Sequence, residues 1–312
     1  IGTLTGRRRK LPPKPVTPQV LAKPKSEERT AAPATENQSP ATSGPPVSGV
    51  RSSGIPKGIV PIASFVNDQP LKAHPDYKAA KAGDYEAAYR LVHDLVKPET
   101  LDAARKQFGE GAVFVSPMAE ELTGKNQIPQ SLASYYAAET AGDVVEKDIV
   151  QTNKAHHTGA KPMERLIARP LFEGPVEKGA RYVLIDDVST MGGTLSELAN
   201  HIQSNGGQVV GVVTLVNASR SGTMSPSPQQ IRAIERRFGH EIRSLFKIEP
   251  AALTRDEATY ILGFRDADAL RNRAAKAEGE RGARLLSKEG AARPAEVTAY
   301  KPGAFLRLLI KA

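Results

Sequence analysis

The chain has 312 residues and no cysteine, which excludes a disulfide framework and thiolate metal sites and fits a reducing compartment. Its net charge of +9 is uneven: residues 1–54 hold nine basic and three acidic side chains, residues 266–312 hold ten and six, and residues 55–265 hold 24 and 25. The middle is therefore near neutral, and the basic flanks read as solvated tails whose nucleic-acid contact would be weak and indifferent to sequence. No apolar run approaches the ~20 residues that span a membrane, and the N-terminus lacks the apolar core of a signal peptide, so a cytoplasmic protein without a membrane partner is expected.

Residues 1–54 are rich in Pro, Ser, Thr, Ala and Lys and carry Arg7, Arg8, Arg9 and Lys10 as a basic cluster. A segment this poor in apolar positions cannot offset its ordering entropy, so a disordered linker is expected there. The first residue is Ile1, which suggests a piece of a longer protein. Residues 59–65 read as a strand, and residues 84–96 as a helix with Asp84 at its N-cap and Ala87, Ala88, Leu91, Val92, Leu95 and Val96 on one face. A helix over 99–108, a buried strand over 112–115, a helix over 128–141 and a strand over 143–150 follow. Residues 181–185 form a continuously apolar strand that ends in Asp186 and Asp187; residues 195–203 form a helix stopped by Gly206 and Gly207; residues 208–216 form a further apolar strand. Apolar strands alternating with helices predict a parallel sheet covered on both faces. Residues 228–238 read as a helix, Thr254 and Glu257 as the capping box of another, and 266–277 as a loose helix opening a polar, basic extension over 266–312.

The chemistry concentrates in 186–194, where two acids, three hydroxyls and two glycines fall within nine residues between a buried strand and a helix. Ligands of open parallel sheets bind at the carboxyl ends of the strands. Gly192 and Gly193 let backbone amides approach a ligand, and the helix that follows offers its N-terminus to a phosphate. Carboxylates repel phosphate, so Asp186 and Asp187 must face neutral hydroxyls or a bound Mg²⁺. A phosphorylated sugar satisfies both halves. There is no Gly-x-x-x-x-Gly-Lys, which excludes a P-loop, and no Gly-x-Gly-x-x-Gly, which argues against dinucleotide binding.

Residues 183–195 resemble the phosphoribosyl pyrophosphate motif of type I phosphoribosyltransferases: an apolar strand, paired acids and a Thr-x-Gly-Gly-Thr turn, with Met191 where many members have a second Thr. The order of elements extends the resemblance over 55–265. It implies an α/β fold with a central parallel sheet flanked by helices and a small hood, drawn from 55–80 and 220–262. It implies that Asp186 and Asp187 hold the ribose hydroxyls and that Ser189, Thr190, Met191, Gly192, Gly193 and Thr194 hold the 5′-phosphate. Pyrophosphate would meet the loop after the strand 112–115, with Ser116, Lys125 and Asn126 as polar candidates, although Lys125 reads equally well as a plain surface lysine. The mobile loop over the reaction would be 152–161, with Lys154, His156, His157 and Lys161. Lys154 and His157 join the two acids as catalytic candidates, and Arg165 and Arg169 are further cations. The adjacent histidines alone are weak evidence for a metal.

The implied reaction moves the 5-phosphoribosyl group from phosphoribosyl pyrophosphate to a nitrogen acceptor, a nucleobase by preference, as a step of nucleotide or nucleoside metabolism. Mg²⁺ would arrive with the substrate, reaching Asp186 and Asp187 through water at most. Two other readings stand beside it: a regulatory module that binds phosphoribosyl pyrophosphate without catalysis, and a module of a larger nucleic-acid-associated protein. No motif fixes an interface, so a twofold homodimer is only the default expectation for a soluble oligomer.

Overall fold

Strands apolar along their whole length are stable only in a sheet covered on both faces, and the computed structural model places them in one. It describes residues 49–117, 120–121, 124–145, 149–153, 160–219 and 221–292. In chain order the elements are β1 (Ile62–Phe65), α1 (Gln69–Ala73), α2 (Tyr77–Lys81), α3 (Tyr85–Leu95), α4 (Pro98–Phe108), β2 (Ala112–Val115), β3 (Glu120–Glu121), β4 (Gly124–Lys125), α5 (Ile128–Thr140) and β5 (Asp143–Val145). They continue with β6 (Val150–Gln151), α6 (Pro162–Ile167), β7 (Phe172–Glu173), β8 (Arg181–Ser189), α7 (Gly193–Ser204), β9 (Gln208–Asn217), α8 (Pro228–Phe246), α9 (Arg255–Leu262) and α10 (Ala267–Ala292). No described helix is long and apolar enough to cross a membrane.

The main sheet has five parallel strands in the order β1-β9-β8-β2-β5. Alternation along central β8 divides the core. Val183 and Ile185 face α3, α4 and α5, among buried Leu91, Phe108, Phe114 and Leu132. Tyr182 and Leu184 face α7, against Leu195, Leu198 and Ile202. Each fully buried aliphatic side chain of this kind contributes about 1.5–3 kcal/mol. A third apolar cluster joins α6, α8, α9 and α10 through Leu166, Phe238, Ile242, Ile261 and Leu270. It forms the small hood, and residues 220–262, one of the two stretches expected there, supply most of it, with α6 and α10 supplying the rest. Residues 55–80 do not belong to it: Leu71 and Ala80 pack into the core of α3–α5, and Ile55 and Ile59 into the core of α7.

Several boundaries moved for local reasons. Asp84 caps α3 by accepting from the Ala87 N–H at 3.0 Å, as its spacing predicted. Helix α8 runs past Gly239, where the predicted helix stopped, because Ile242 and Phe246 bury on the same face as Ile234 and Phe238. The strand expected over 143–150 is instead β5 and β6, which pair in different sheets. The polar segment after Gly263 is drawn into the fold, with Leu270, Ala274 and Ala277 buried. At the other end Arg51 is wholly buried and bridges to Ile248, inside the stretch read as linker; residues 1–48 and 293–312 lie outside the described residues.

Gly211 in β9 shows how tightly helix and sheet meet. A Cβ there would stand 2.1 Å from Phe108 Cε1, and Phe108 packs edge-on to Phe114 at 6.2 Å between ring centres. Gly211→Ala is therefore expected to cost about 1–3 kcal/mol by overpacking, read as a lower urea midpoint at unchanged slope.

Candidate functional site

Strand β8 does not end at the acids. Its ladder with β9 continues through Asp186 opposite Thr214 to Ser189 opposite Asn217, so both carboxylates sit on rigid backbone. The chain then turns at Thr190 and Met191, and Gly192 enters the left-handed region at φ +72° to start α7. Only glycine takes this conformation readily. The space is also tight: a Cβ at Gly192 would stand 2.7 Å from Met224 Cε, and one at Gly193 would stand 2.9 Å from Glu257 Oε1, so those side-chain ends would have to shift. Met224 and the hood's Glu257 thus brace the turn from outside. The Thr254 hydroxyl adds to this by donating to the Met191 carbonyl at 2.6 Å.

A cleft opens on the inner side of the turn, lined by Asp186, Ser189 to Leu195, Val188, Arg165 and Glu257. The first-turn amides of α7 have no acceptor inside the helix and favour an anion. The Ser189 hydroxyl lines the same cleft and, although buried, has no hydrogen-bond partner among the described residues. The arrangement offers donors for a phosphate beside a carboxylate for hydroxyl groups.

The two acids separate. Asp187, pointing with Ile185 towards the α2–α5 side, is held there: its Oδ2 accepts from Lys81 Nζ at 3.3 Å and from Asn126 Nδ2 at 3.0 Å, and its Oδ1 accepts from the Val188 N–H at 2.8 Å. Asp186 faces the cleft, its Oδ1 accepting from the Asp187 N–H at 2.9 Å. Burial, reinforced by the neighbouring Asp187 charge, pushes the Asp186 carboxyl well above the ordinary aspartate range. No cluster of three or more His, Asp or Glu side chains suited to a metal occurs among the described residues.

The remaining candidates fall in different places. Asn126 joins the site through Asp187, while Lys125 is exposed on the β3–β4 hairpin and does not line the cleft. Ser116 is buried just beyond β2. Lys154, His156 and His157 lie outside the described residues. Lys161 pairs with Glu280 at 3.1 Å. Arg165 reaches the cleft wall, but Arg169 is engaged elsewhere, with Glu197 at 2.5 Å and with the carbonyls of Phe246 at 2.6 Å and Lys247 at 2.9 Å. Sequence reasoning missed three residues at the site. Lys81 is 106 positions from its partner, and nothing in its surroundings marks it. Glu257 was visible only as half of a capping box, which it does form, accepting from the Thr254 N–H at 2.8 Å. Arg51 was counted with the basic linker, yet it reaches Glu257 at 2.7 Å and Glu197 at 3.4 Å.

Residues 109–239 match the family model described as phosphoribosyl transferase domain. Protein TraN of Escherichia coli is 34% identical over 230 residues, which make up 72% of this chain and 50% of TraN. An uncharacterized protein of Haemophilus influenzae is 35% identical over 131 residues, 42% of this chain and 29% of that protein. The chain therefore spans half the length of the first relative and less than a third of the second. A crystal structure of adenine phosphoribosyltransferase from Leishmania tarentolae aligns with 53% of this chain and 99% of its own at 15% identity, with a TM-score of 0.26, a likeness too loose to carry an argument.

The raised Asp186 carboxyl has a consequence for the ligand-free protein. Its native state holds a proton more tightly than the unfolded chain, so its contribution to stability is fully present below the ordinary aspartate value and is lost as pH rises through the raised one. Asp186→Asn is expected to raise the melting temperature at neutral pH, with the gain disappearing below about pH 4. Melting curves of both proteins across that range measure it.

Proposed function

We propose, from the match of residues 109–239 to the phosphoribosyl transferase domain and the resemblance of 183–195 to the type I motif, that this chain transfers the 5-phosphoribosyl group of phosphoribosyl pyrophosphate to a nitrogen acceptor, a nucleobase by preference. The observation that carries the reading is a single cleft in which Asp186 faces the same space as the Ser189–Thr194 turn. In this reading the turn amides and the Ser189, Thr190 and Thr194 hydroxyls hold the 5′-phosphate. Asp186 accepts from the ribose hydroxyls. Asp187, fixed by Lys81 and Asn126, keeps the end of β8 in register for that contact.

The acceptor nitrogen attacks C1 of the ribose, and the C1–O bond breaks with its electron pair leaving on pyrophosphate. The proton on the acceptor nitrogen passes to solvent. Charge on the leaving group is the main electrostatic demand, and Arg165 on the cleft wall is the described cation placed to share it. Lys154 and His157 remain our candidates for the loop that closes on pyrophosphate and excludes water. The donor set suits a Mg²⁺ carried by the substrate rather than a resident ion: of the two carboxylates that line the cleft, Glu257 is paired with Arg51, and Asp186 forms no part of a larger ligand cluster among the described residues. Bound with pyrophosphate, the ion supplies further neutralisation of the leaving group. We take the catalytic body to run from residue 49 to the end of α10, wider than the 55–265 over which the order of elements resembles the family.

Because the chain covers only half of TraN, a binding module inside a larger protein is the second reading. One assay separates the two: pyrophosphate release from phosphoribosyl pyrophosphate and Mg²⁺ with pooled nucleobases, beside an Asp186→Asn/Asp187→Asn variant. Catalysis predicts base-dependent release that falls by roughly two orders of magnitude in the variant. Saturable binding without release in any pool supports the module. Neither release nor binding refutes both.

A further inference from the structure

The anion-accepting turn has a carboxylate directly behind it. Glu257 is buried, lines the cleft, and its Oε1 would lie 2.9 Å from a Cβ at Gly193. Left unneutralised, a buried negative charge beside Gly193 would oppose any phosphate held by the Gly193 amide. Its other oxygen, Oε2, accepts from Arg51 Nη2 at 2.7 Å, and Arg51 Nη1 lies 3.5 Å from the Gly193 carbonyl. Arg51 is fully buried, and its backbone is fixed on both sides, its N–H donating to the Lys247 carbonyl at 2.9 Å and its carbonyl accepting from the Glu249 N–H at 2.9 Å. The second carboxylate it touches, Glu197, already has a cation of its own in Arg169. Two guanidinium groups thus balance two carboxylates, and Glu257 depends on Arg51 for its share.

We infer that Arg51, from the N-terminal flank, is a positioning residue of the sugar-phosphate site: it neutralises Glu257 beneath the Gly192–Gly193 turn and so sets the affinity of that turn for phosphate. The inference rests on the functional reading above and adds a residue outside the family match, 58 positions before its start at residue 109. A purely structural staple would weaken binding whichever member is changed. A charge-setting pair gives opposite signs for its two members.

The test is calorimetric binding of ribose 5-phosphate to the whole chain and to three variants whose folding is checked by circular dichroism. Arg51→Met is expected to bind about tenfold or more weakly. Glu257→Gln keeps the capping hydrogen bond, since glutamine serves at that position, and removes the charge. It is expected to bind several-fold more tightly than the parent. The double variant Arg51→Met/Glu257→Gln is expected to recover most of the affinity lost in Arg51→Met. Should Arg51→Met fail to fold, the sign of the Glu257→Gln change decides. Unchanged or weaker binding by folded Glu257→Gln, parental affinity in folded Arg51→Met, or a double variant as weak as Arg51→Met overturns the inference while leaving the site itself standing. No binding by the parent chain refutes the functional reading and this inference together.

Discussion

A carboxylate withdrawn from water must find a cation, find hydrogen-bond donors or take up a proton, and this constraint organises the molecule around β8. The three acids that matter at the cleft meet it in three ways. Asp187 has Lys81 and Asn126; Glu257 has Arg51; Asp186, which accepts from the Asp187 backbone N–H, is pushed towards the protonated form by burial and the Asp187 charge. The difference has a functional sense. An acid already saturated by protein partners is a structural element, whereas one whose ionised form is disfavoured until a polar partner arrives is suited to a ligand.

Topology explains why the partners come from so far apart. The sheet order places β8 at the centre, so elements on both faces and the hood at its carboxyl end all reach its last residues. From one face come Lys81 at the end of α2 and Asn126 just before α5. From the other come the N-terminal segment with Arg51 and the α6 segment with Arg165 and Arg169. Met224, from the core beneath α7, and Thr254 and Glu257, from the hood, press on the two glycines and fix the turn's shape. Replacing Gly192 would require the Met224 methyl to shift and would strain the backbone at φ +72°; replacing Gly193 would require the Glu257 carboxylate to shift.

The flanks illustrate a limit of composition as a guide to folding. Residues 49–54 and 267–277 carry few large apolar side chains, Val50 in the first and Leu270 in the second, yet Arg51 lies at the centre of an ion network and Leu270, Ala274 and Ala277 complete the hood's core. A few buried contacts suffice to recruit such segments when a preformed surface offers them partners. Local apolar density, which is what composition measures, does not register that.

What the sequence by itself determined was everything governed by short range. Continuous apolar strands, the period of α3, the Asp84 cap, the Thr254–Glu257 capping box and the density of acids, hydroxyls and glycines over 186–194 all follow from neighbours within a few residues. Tertiary structure decided how the charges are distributed: that Asp187 is held and Asp186 is open, that Arg169 serves Glu197 and Arg165 the cleft, that Lys125 stays on the surface while Lys81 enters the site, and that Arg51 belongs to the core. The reason is physical. Backbone propensity and side-chain periodicity are local, but the energy of a buried charge depends on whichever groups the fold brings within a few ångströms, and here those groups are separated by up to 206 positions of chain.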